Sequence, residues 1–354
     1  MKLRKVLALV LTLVLSLGLL ASCGGTASKA SPSPSAAPSA TPTPSATPAP
    51  FKVALVIGVG GLGDGSFNDS LKAGCDEAVA AYGVTYDIIE PTEVSEFEGD
   101  FTTLCEDGSY NLIVCGGFDA VEAVTKVATA YPDQKFLFVD GTITGCDKNV
   151  TSVSFRDNEK TFMLGMVAAM KTKTNSLGVI AALNVDSLNM FVTGFIAGAE
   201  YAKPDIKVNV KYVGSFSDTT TAKEMAISLH EGGADIVATF SGGSGLGVFT
   251  AAKEDGFLAI GCDTNQCLID PSCIMLSGIR KIDVVISDGI GSAIKGTLKG
   301  GATSAGLKEN ALTITNEGSK VELDPSYLDA AFKAGDKIIS GELKAPSKLS
   351  EIGR

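Results

Sequence analysis

Short apolar segments alternate with segments of helical periodicity along most of the chain after residue 50. The apolar segments are rich in β-branched residues and show no polar alternation, which is typical of strands buried on both faces of a parallel sheet. The pattern predicts strands at residues 53–57, 85–89, 111–114, 136–139, 151–155, 177–181, 208–213, 236–240, 258–260 and 275–277. It predicts helices at residues 71–81, 120–131, 160–170, 191–201, 219–230 and 246–254, where apolar residues recur at helical spacing.

The strand–helix series runs once and begins again near residue 177. Such alternation predicts an α/β fold with parallel sheets. Residues 51–354 are long for one hydrophobic core, since single cores stop growing beyond about 250–300 residues. We therefore predict two similar, doubly wound lobes that face each other. Ligands bind beyond the carboxyl ends of strands in such sheets, so the residues just after each strand are the candidate site.

The first 22 residues have the layout of a secretory signal peptide. Lys2, Arg4 and Lys5 form a charged start, and residues 6–21 are almost all apolar. Residues 20–23 read Leu-Ala-Ser-Cys, which resembles the lipobox of bacterial lipoproteins, where the cysteine receives lipid. We predict a lipid on Cys23 that anchors the protein at the outer face of the cytoplasmic membrane. An uncleaved anchor is the alternative, because the run is only marginally long enough to span.

Composition narrows the possible partners. Residues 23–50 are almost wholly Ser, Ala, Pro, Thr and Gly, which predicts an extended tether. The chain carries 29 Lys and Arg against 40 Asp and Glu, a net charge of −11, and no basic cluster follows the tether. An acidic surface without such a cluster argues against nucleic acid as a partner.

The cysteine and histidine content argues against a metal centre. His230 is the single histidine, and the spacing of Cys262, Cys267 and Cys273 does not suit zinc. With Cys23 assigned to lipid, seven of the eight cysteines remain, so at least one thiol is free. We expect most of them to be buried as small apolar residues, with one disulfide as the alternative. No metal and no cofactor is expected.

The loop after the first predicted strand is rich in glycine. Gly58, Gly60 and Gly63 match the dinucleotide fingerprint G-x-G-x-x-G, which alone is weak evidence. The third glycine should open a helix, yet residues 64–68 intervene as a poor helix start, and Glu90 comes later than the motif requires. Reduced nicotinamide cofactors are also not usually available outside the cell. We therefore interpret the glycines as a tight turn that brings backbone close to a ligand.

Polar–aromatic loops supply the candidate ligand-binding residues of the first lobe. Phe67, Asn68 and Asp69 follow the glycines, and Phe67 is either a stacking platform or a cap over the sheet edge. Asn68 offers both a donor and an acceptor to a planar partner. Asp119 follows the third strand in Gly-Gly-Phe-Asp, where capping of the next helix is an equally good interpretation.

The second lobe repeats this arrangement. Phe191 should begin a helix on the cleft side, and Gly243 lies in a Ser-Gly-Gly-Ser-Gly loop whose N–H groups could meet ligand oxygens. Asp263 follows the strand at 258–260, and Arg280 and Lys281 follow the next. The loops contain no Ser-His-Asp set and no paired metal ligands. We predict recognition of a planar molecule that bears hydroxyls, and no enzymatic activity.

Ordered motifs from residue 53 to about 346 resemble the basic membrane protein (BMP) family of nucleoside-binding lipoproteins. They include Asp64-x-x-Phe67-Asn68-Asp69, Phe191-x-x-Gly194-Phe195-x-x-Gly198 and Gly261-Cys262-Asp263. Further motifs are residues 131–136, residues 149–155 and Gly214-Ser215-Phe216-Ser217-Asp218. The resemblance implies a type I periplasmic-binding-protein fold, in which two α/β lobes joined by three crossing segments enclose a ligand cleft.

The resemblance also implies roles for individual residues. Phe67 and Phe191 would sandwich a purine, Asn68 and Asp119 would read its polar edge, and Asp263 would accept from the ribose hydroxyls. Backbone around Gly243 would approach the sugar. The family usually has lysine where Arg280 stands, with Lys281 next, so either cation is a candidate contact.

The implied protein is a monomeric receptor that delivers a purine nucleoside to the permease and ATPase subunits of an ABC importer. Its first lobe is expected over residues 51–155 and 279–325, and its second over 156–278 and 326–354. The same fold binding a sugar or a small signal molecule is the alternative. A nucleoside hydrolase would need clustered aspartates around a metal, and no such cluster occurs in the sequence.

Overall fold

The computed structural model describes residues 50–354. The predicted signal peptide, the lipidation site Cys23 and the tether up to residue 49 lie outside the described residues. Among residues 50–354, every helix is too short or too polar to span a bilayer.

The first lobe is built on a sheet of six strands among the described residues. Its order is β11-β5-β4-β3-β1-β2, and every neighbouring pair runs parallel. Strands β1, β3 and β4 are fully buried or nearly so, as their uninterrupted apolar sequences predict. The strands are β1 (Lys52–Val56), β2 (Thr85–Ile89), β3 (Leu112–Gly116), β4 (Phe136–Val139), β5 (Val150–Phe155) and β11 (Gly301–Ala305).

The second lobe repeats this topology. Its sheet has the order β12-β10-β9-β8-β6-β7 within the described residues, and β12 alone runs antiparallel, against β10. Both sheets therefore reverse direction of winding beside their first strand, at β1/β3 and at β6/β8. The strands are β6 (Ser176–Ala181), β7 (Lys207–Tyr212), β8 (Ile236–Phe240), β9 (Leu258–Asp263), β10 (Ile274–Arg280) and β12 (Leu312–Thr315).

Helices cover both faces of the sheets. The predicted helices all occur, but α1 and α5 begin earlier than their apolar periodicity indicates, so Phe191 lies inside α5 and does not begin it. The α2, α8 and α9 helices were not predicted; α8 carries two glycines that weaken its pattern. The helices are α1 (Phe67–Tyr82), α2 (Phe97–Asp107), α3 (Val121–Ala130), α4 (Asp157–Lys171), α5 (Asp186–Ala202), α6 (Thr219–Glu231), α7 (Gly245–Asp255), α8 (Ile282–Ile294) and α9 (Pro325–Ser340).

Three segments cross between the lobes, and one boundary differs from the expectation. The crossings run from β5 to α4, from β10 to α8 and from β11 to β12. We expected residues 279–325 in the first lobe, yet β12 pairs with β10 of the second sheet. The chain therefore returns to the second lobe after Ala305, because β12 completes the edge beside β10.

The α4 and α5 helices pack unusually close together. A Cβ atom added at Gly165 would lie 2.0 Å from the carbonyl oxygen of Phe195, and one at Gly198 would lie 1.9 Å from that of Phe162. Only glycine permits this approach. The contact fixes the middle of α4 against α5.

The seven cysteines among the described residues are all unpaired. Six are buried, which confirms the expectation that most serve as small apolar residues. Cys105 is the partly exposed exception.

Candidate functional site

The site lies where both sheets reverse their winding. Loops after β1 and β3 in the first lobe face loops after β6 and β8 in the second, across one cavity. Such crevices beyond the carboxyl ends of strands are the usual ligand sites of doubly wound sheets. Most residues predicted for the site line this cavity: Phe67, Asn68, Asp119, Phe191, Gly243, Asp263 and Arg280. Asp69 and Lys281 do not.

Two phenylalanine rings, one from each lobe, border the cavity. Phe67 is the first residue of α1, and its ring lies over Gly116, where an added Cβ would come within 3.0 Å of Cζ. Phe191 projects from α5 and packs against Phe240 with ring centres 5.6 Å apart. The guanidinium carbon of Arg280 lies 5.2 Å from the Phe67 ring centre and 5.4 Å from that of Phe191. Both rings therefore flank the same space.

Asn68 and Asp69 organise the glycine loop. The Asn68 amide accepts from the N–H of Gly58 at 2.9 Å and donates to the carbonyls of Gly61 and Gly58 at 3.0 and 3.3 Å. The Asp69 carboxylate accepts from the N–H groups of Gly63 and Gly65, each at 2.8 Å. Both amide hydrogens of Asn68 are thus engaged within the loop, which leaves chiefly its oxygen for a ligand.

Asp64 was not predicted as a site residue, although it belongs to the first quoted motif. Its carboxylate lines the cavity and accepts from the N–H groups of Ser66, Asn68 and Asp69 at the start of α1. This carboxylate satisfies the first N–H groups of the helix, which explains why α1 begins at Phe67 despite the glycines before it. Burial raises the pKa of Asp64 to about 6, although the three N–H donors oppose the rise.

The raised pKa of Asp64 predicts a stability that depends on pH. The folded protein binds this proton more tightly than the unfolded chain, so the unfolding free energy contributed by Asp64 increases as pH falls from about 6 towards 4. We expect wild type to gain on the order of 2–3 kcal/mol relative to Asp64→Asn between pH 7 and pH 4, measured by urea denaturation. Asp324→Asn serves as a control, because the N–H of Ser326 lowers the pKa of this exposed cap and the slope should reverse. A pH-independent difference for Asp64→Asn would contradict the assignment.

Asp263 and Arg280 form a buried ion pair on the second-lobe side. The Nε of Arg280 donates to Oδ1 of Asp263 at 2.7 Å. Burial alone would raise the pKa of Asp263, but Arg280 and Lys160 outweigh it and lower the pKa to about 2. Asp263 is therefore a permanently ionised acceptor at the cavity wall. Lys281 points elsewhere, so the structure distinguishes the two candidate cations in favour of Arg280.

Asp140 is a second site residue that sequence analysis missed. It follows β4 directly, lines the cavity and accepts from Arg280 Nη1 at 2.8 Å. Burial raises its pKa, against the opposing charge of Arg280. Asp140 and Asp263 have φ values of 66° and 71°, left-handed conformations that non-glycine residues adopt rarely and often at functional sites. Inspecting the residue after every predicted strand would have found Asp140.

Asp119 and Gly243 complete the polar lining. Burial raises the pKa of Asp119, whose carboxylate lies above Gly117: an added Cβ there would be 2.7 Å from Oδ1. Gly243 lies in a tight turn before α7, where an added Cβ would be 3.2 Å from the Phe216 carbonyl oxygen. Its bare backbone therefore borders the cavity.

The lobes contact each other around the cavity. Ser66 Oγ donates to Oδ2 of Asp263 at 2.6 Å, and the Gly65 carbonyl accepts from Thr264 Oγ1 at 2.7 Å and Gln266 Nε2 at 3.0 Å. On another side, the rings of Phe118 and Phe216 approach to 6.2 Å. These contacts join the first lobe to the second, as expected for a closed state.

Known proteins resemble this chain over most of its length. Residues 51–348 match the Bmp family model, described as "ABC transporter substrate-binding protein PnrA-like". The ABC transporter nucleoside-binding protein BmpA of Lactococcus lactis is 31% identical over 319 residues, covering 84% of this chain and 89% of that protein. An uncharacterised lipoprotein of Pyrococcus abyssi is 33% identical, covering 74% of this chain and 68% of that protein.

A solved structure extends the agreement to the fold. An ABC transporter solute-binding protein from Aeropyrum pernix superposes with a TM-score of 0.78 at 28% identity, covering 85% of this chain and 95% of that one. This confirms the predicted two-lobed, type I binding-protein fold and a non-enzymatic role in transport. The chain belongs to the Bmp family of ABC transporter substrate-binding proteins.

Proposed function

We propose that this protein captures purine nucleosides outside the cytoplasmic membrane and presents them to an ABC permease and its ATPase subunits. The observation that carries the proposal is the pairing of Phe67 and Phe191, from opposite lobes, beside the ionised carboxylate of Asp263. A flat base fits between aromatic faces, and a carboxylate accepts from paired sugar hydroxyls. The name of the L. lactis relative supports the same ligand class.

The expected binding free energy is sufficient for tight nucleoside binding. Base–aromatic stacking contributes about 1–3 kcal/mol per base, and a hydrogen bond to a charged acceptor about 1.5–3 kcal/mol. Reduced by the cost of lobe closure, these terms are compatible with sub-micromolar affinity. Because each lobe supplies one ring, a bound base would stabilise the closed state.

Asp119 and the second lone pair of the Asn68 oxygen would face the polar edge of the base, and the backbone at Gly243 would approach the ribose. Lipid on Cys23 would hold the monomeric receptor at the outer face of the cytoplasmic membrane. The acidic residues of the cavity would disfavour phosphate-bearing ligands through charge repulsion.

Titration calorimetry with inosine, guanosine, adenosine, cytidine, ribose and free bases tests the ligand class. Protein unfolded and refolded to remove co-purified ligand should bind the purine nucleosides with sub-micromolar Kd and ribose at least 100-fold more weakly, because ribose lacks the stacking face. Binding of ribose without any nucleoside would reject the proposal and favour a sugar receptor of the same fold.

A further inference from the structure

Lys160 is a charged residue buried directly behind the site. Its side chain has no solvent exposure. The ammonium donates to Oδ1 of Asp157 at 2.6 Å, lies 3.9 Å from Oδ1 of Asp263 and stands 4.8 Å from the ring centre of Phe191. Burying an ammonium costs several kcal/mol unless its surroundings compensate for it. The fold therefore bears a considerable desolvation free energy to bury the Lys160 ammonium.

The surrounding backbone is shaped to admit this side chain. Gly278 on β10 leaves the space through which it passes: an added Cβ would lie 3.3 Å from Cε of Lys160 and 2.9 Å from Cδ1 of Leu164. The start of α4 is also pressed against α5, where an added Cβ at Gly194 would lie 2.3 Å from Oγ1 of Thr161. The position of the ammonium is thus fixed by close packing on two sides.

The charges around Lys160 form a closed ring that includes the site. Asp157 contacts Lys160 at 2.6 Å and Arg280 at 3.5 Å, and Asp263 lies near the same two cations. Asp140 joins the ring through Arg280. Three carboxylates therefore share two cations, and without Lys160 all three would compete for Arg280.

We propose that Lys160 is a positioning residue of the ligand site, whose ammonium holds the Asp263 carboxylate and the Phe191 ring where the sugar and the base meet them. The inference rests on the proposed function for its ligand. It assigns to Lys160 a function beyond neutralising Asp157, because the same ammonium reaches both a hydrogen-bonding and a stacking residue of the cavity.

The groups that face Lys160 define the expected pH response. They are Asp157 on its own helix, Asp263 and Cys262 at the end of β9, Arg280 on β10, and Asp140 behind Arg280. Lys160 and Arg280 together lower the pKa of Asp263 to about 2. Loss of Lys160 should raise this pKa, so that Asp263 becomes protonated, and stops acting as an ionised acceptor, at a higher pH than in wild type.

Lys160→Met keeps the length of the aliphatic stem and removes the ammonium with its charge. We expect inosine affinity to fall about tenfold at pH 7.5, by titration calorimetry. The ratio of variant to wild-type Kd should widen further as pH falls towards 5. A ratio close to one at every pH would overturn the proposal.

A second variant separates positioning from simple charge pairing. Lys160→Met combined with Asp157→Asn leaves the total charge of the ring unchanged, because it removes one cation and one carboxylate. We expect this double variant to recover the unfolding free energy that Lys160→Met loses but not the inosine affinity. Full recovery of the affinity and of its pH profile would show that Lys160 only neutralises Asp157, and the proposal would fall.

A ligand-free measurement keeps the inference independent of the proposed function. Carboxyl ¹³C NMR titration of the ligand-free protein should show a higher pKa for Asp263 in Lys160→Met than in wild type, and an unchanged pKa would overturn the inference. If wild type binds no nucleoside in the calorimetry, the proposed function fails, while this titration still decides whether Lys160 controls Asp263.

Discussion

Asp263→Asn should reduce nucleoside affinity by at least about 100-fold. The substitution removes the ionised acceptor proposed for the ribose hydroxyls, a loss of about 1.5–3 kcal/mol for each charged hydrogen bond. It also weakens the interaction with Arg280, whose Nε donates to Asp263 at 2.7 Å. The Arg280 side chain in the cavity wall is then less firmly positioned. Titration calorimetry with inosine measures the change.

The same variant should also be less stable. Removing one partner of a buried ion pair leaves an uncompensated charge, and such losses are commonly about 3–5 kcal/mol, here reduced because Asp140 still contacts Arg280. The pKa of Asp263 is lowered to about 2, so its contribution is fully present above pH 4 and disappears only as pH falls through about 2.

Asp270→Asn is the matched control for Asp263. The pKa of Asp270 is also lowered to about 2, by hydrogen bonds to Lys253 and Ser272, but its carboxylate lies outside the cavity. Surface ion pairs contribute about 0–1 kcal/mol, so this variant should be nearly as stable as wild type and bind inosine normally. Equal inosine affinity in Asp263→Asn and Asp270→Asn would contradict the role of Asp263.

Phe67→Ala should weaken nucleoside binding by about 5- to 150-fold while leaving ribose binding nearly unchanged. Stacking of a base on an aromatic ring contributes about 1–3 kcal/mol, and each 1.4 kcal/mol corresponds to a factor of ten in Kd. Ribose has no flat face to stack, so the loss should be specific to ligands that carry a base. Calorimetry with inosine and ribose on one preparation tests this difference.

Phe67 is a cleaner test of stacking than Phe191. Phe191 is only 6% exposed and belongs to the core of the second lobe, so Phe191→Ala combines loss of stacking with a core cavity that costs about 3–5 kcal/mol. Phe67 is only partly buried, and its truncation should lower the melting temperature less. Phe67→Leu is the control that retains apolar bulk without a flat face. Wild-type inosine affinity in Phe67→Ala would exclude the sandwich.

Much of the site could be predicted because it follows from strand order. Phe67, Asp119 and Gly243 come after strands whose apolar sequences identify them, and Asp263 ends another. Parallel topology brings those strand ends to one edge. Asp69 was predicted to bind the ligand, but its carboxylate accepts from the N–H groups of Gly63 and Gly65 instead. The spacing of residues along the chain does not indicate these hydrogen bonds.

The charged contacts of Lys160 and Asp140 around the cavity could not be predicted. Lys160 stands in the polar first turn of α4, between Glu159 and Thr161, where an exposed lysine is the ordinary expectation. Its burial depends on Gly278 and on the close approach of α4 to α5, which are contacts between residues far apart in the chain. The hydrogen bond between Arg280 and Asp140 could not be predicted for the same reason, because the two residues are 140 positions apart in sequence.

The order of apolar and polar residues determined the α/β class, the repetition of two lobes and the strand ends where ligand contacts concentrate, because periodicity and turn chemistry are local properties of the chain. Tertiary structure alone decided which charges pair, which of Arg280 and Lys281 reaches the cavity, and that β12 joins the second sheet. Those outcomes depend on distances between segments that only the folded packing of both lobes brings together, and a buried charge is tolerated only where that packing supplies its partners.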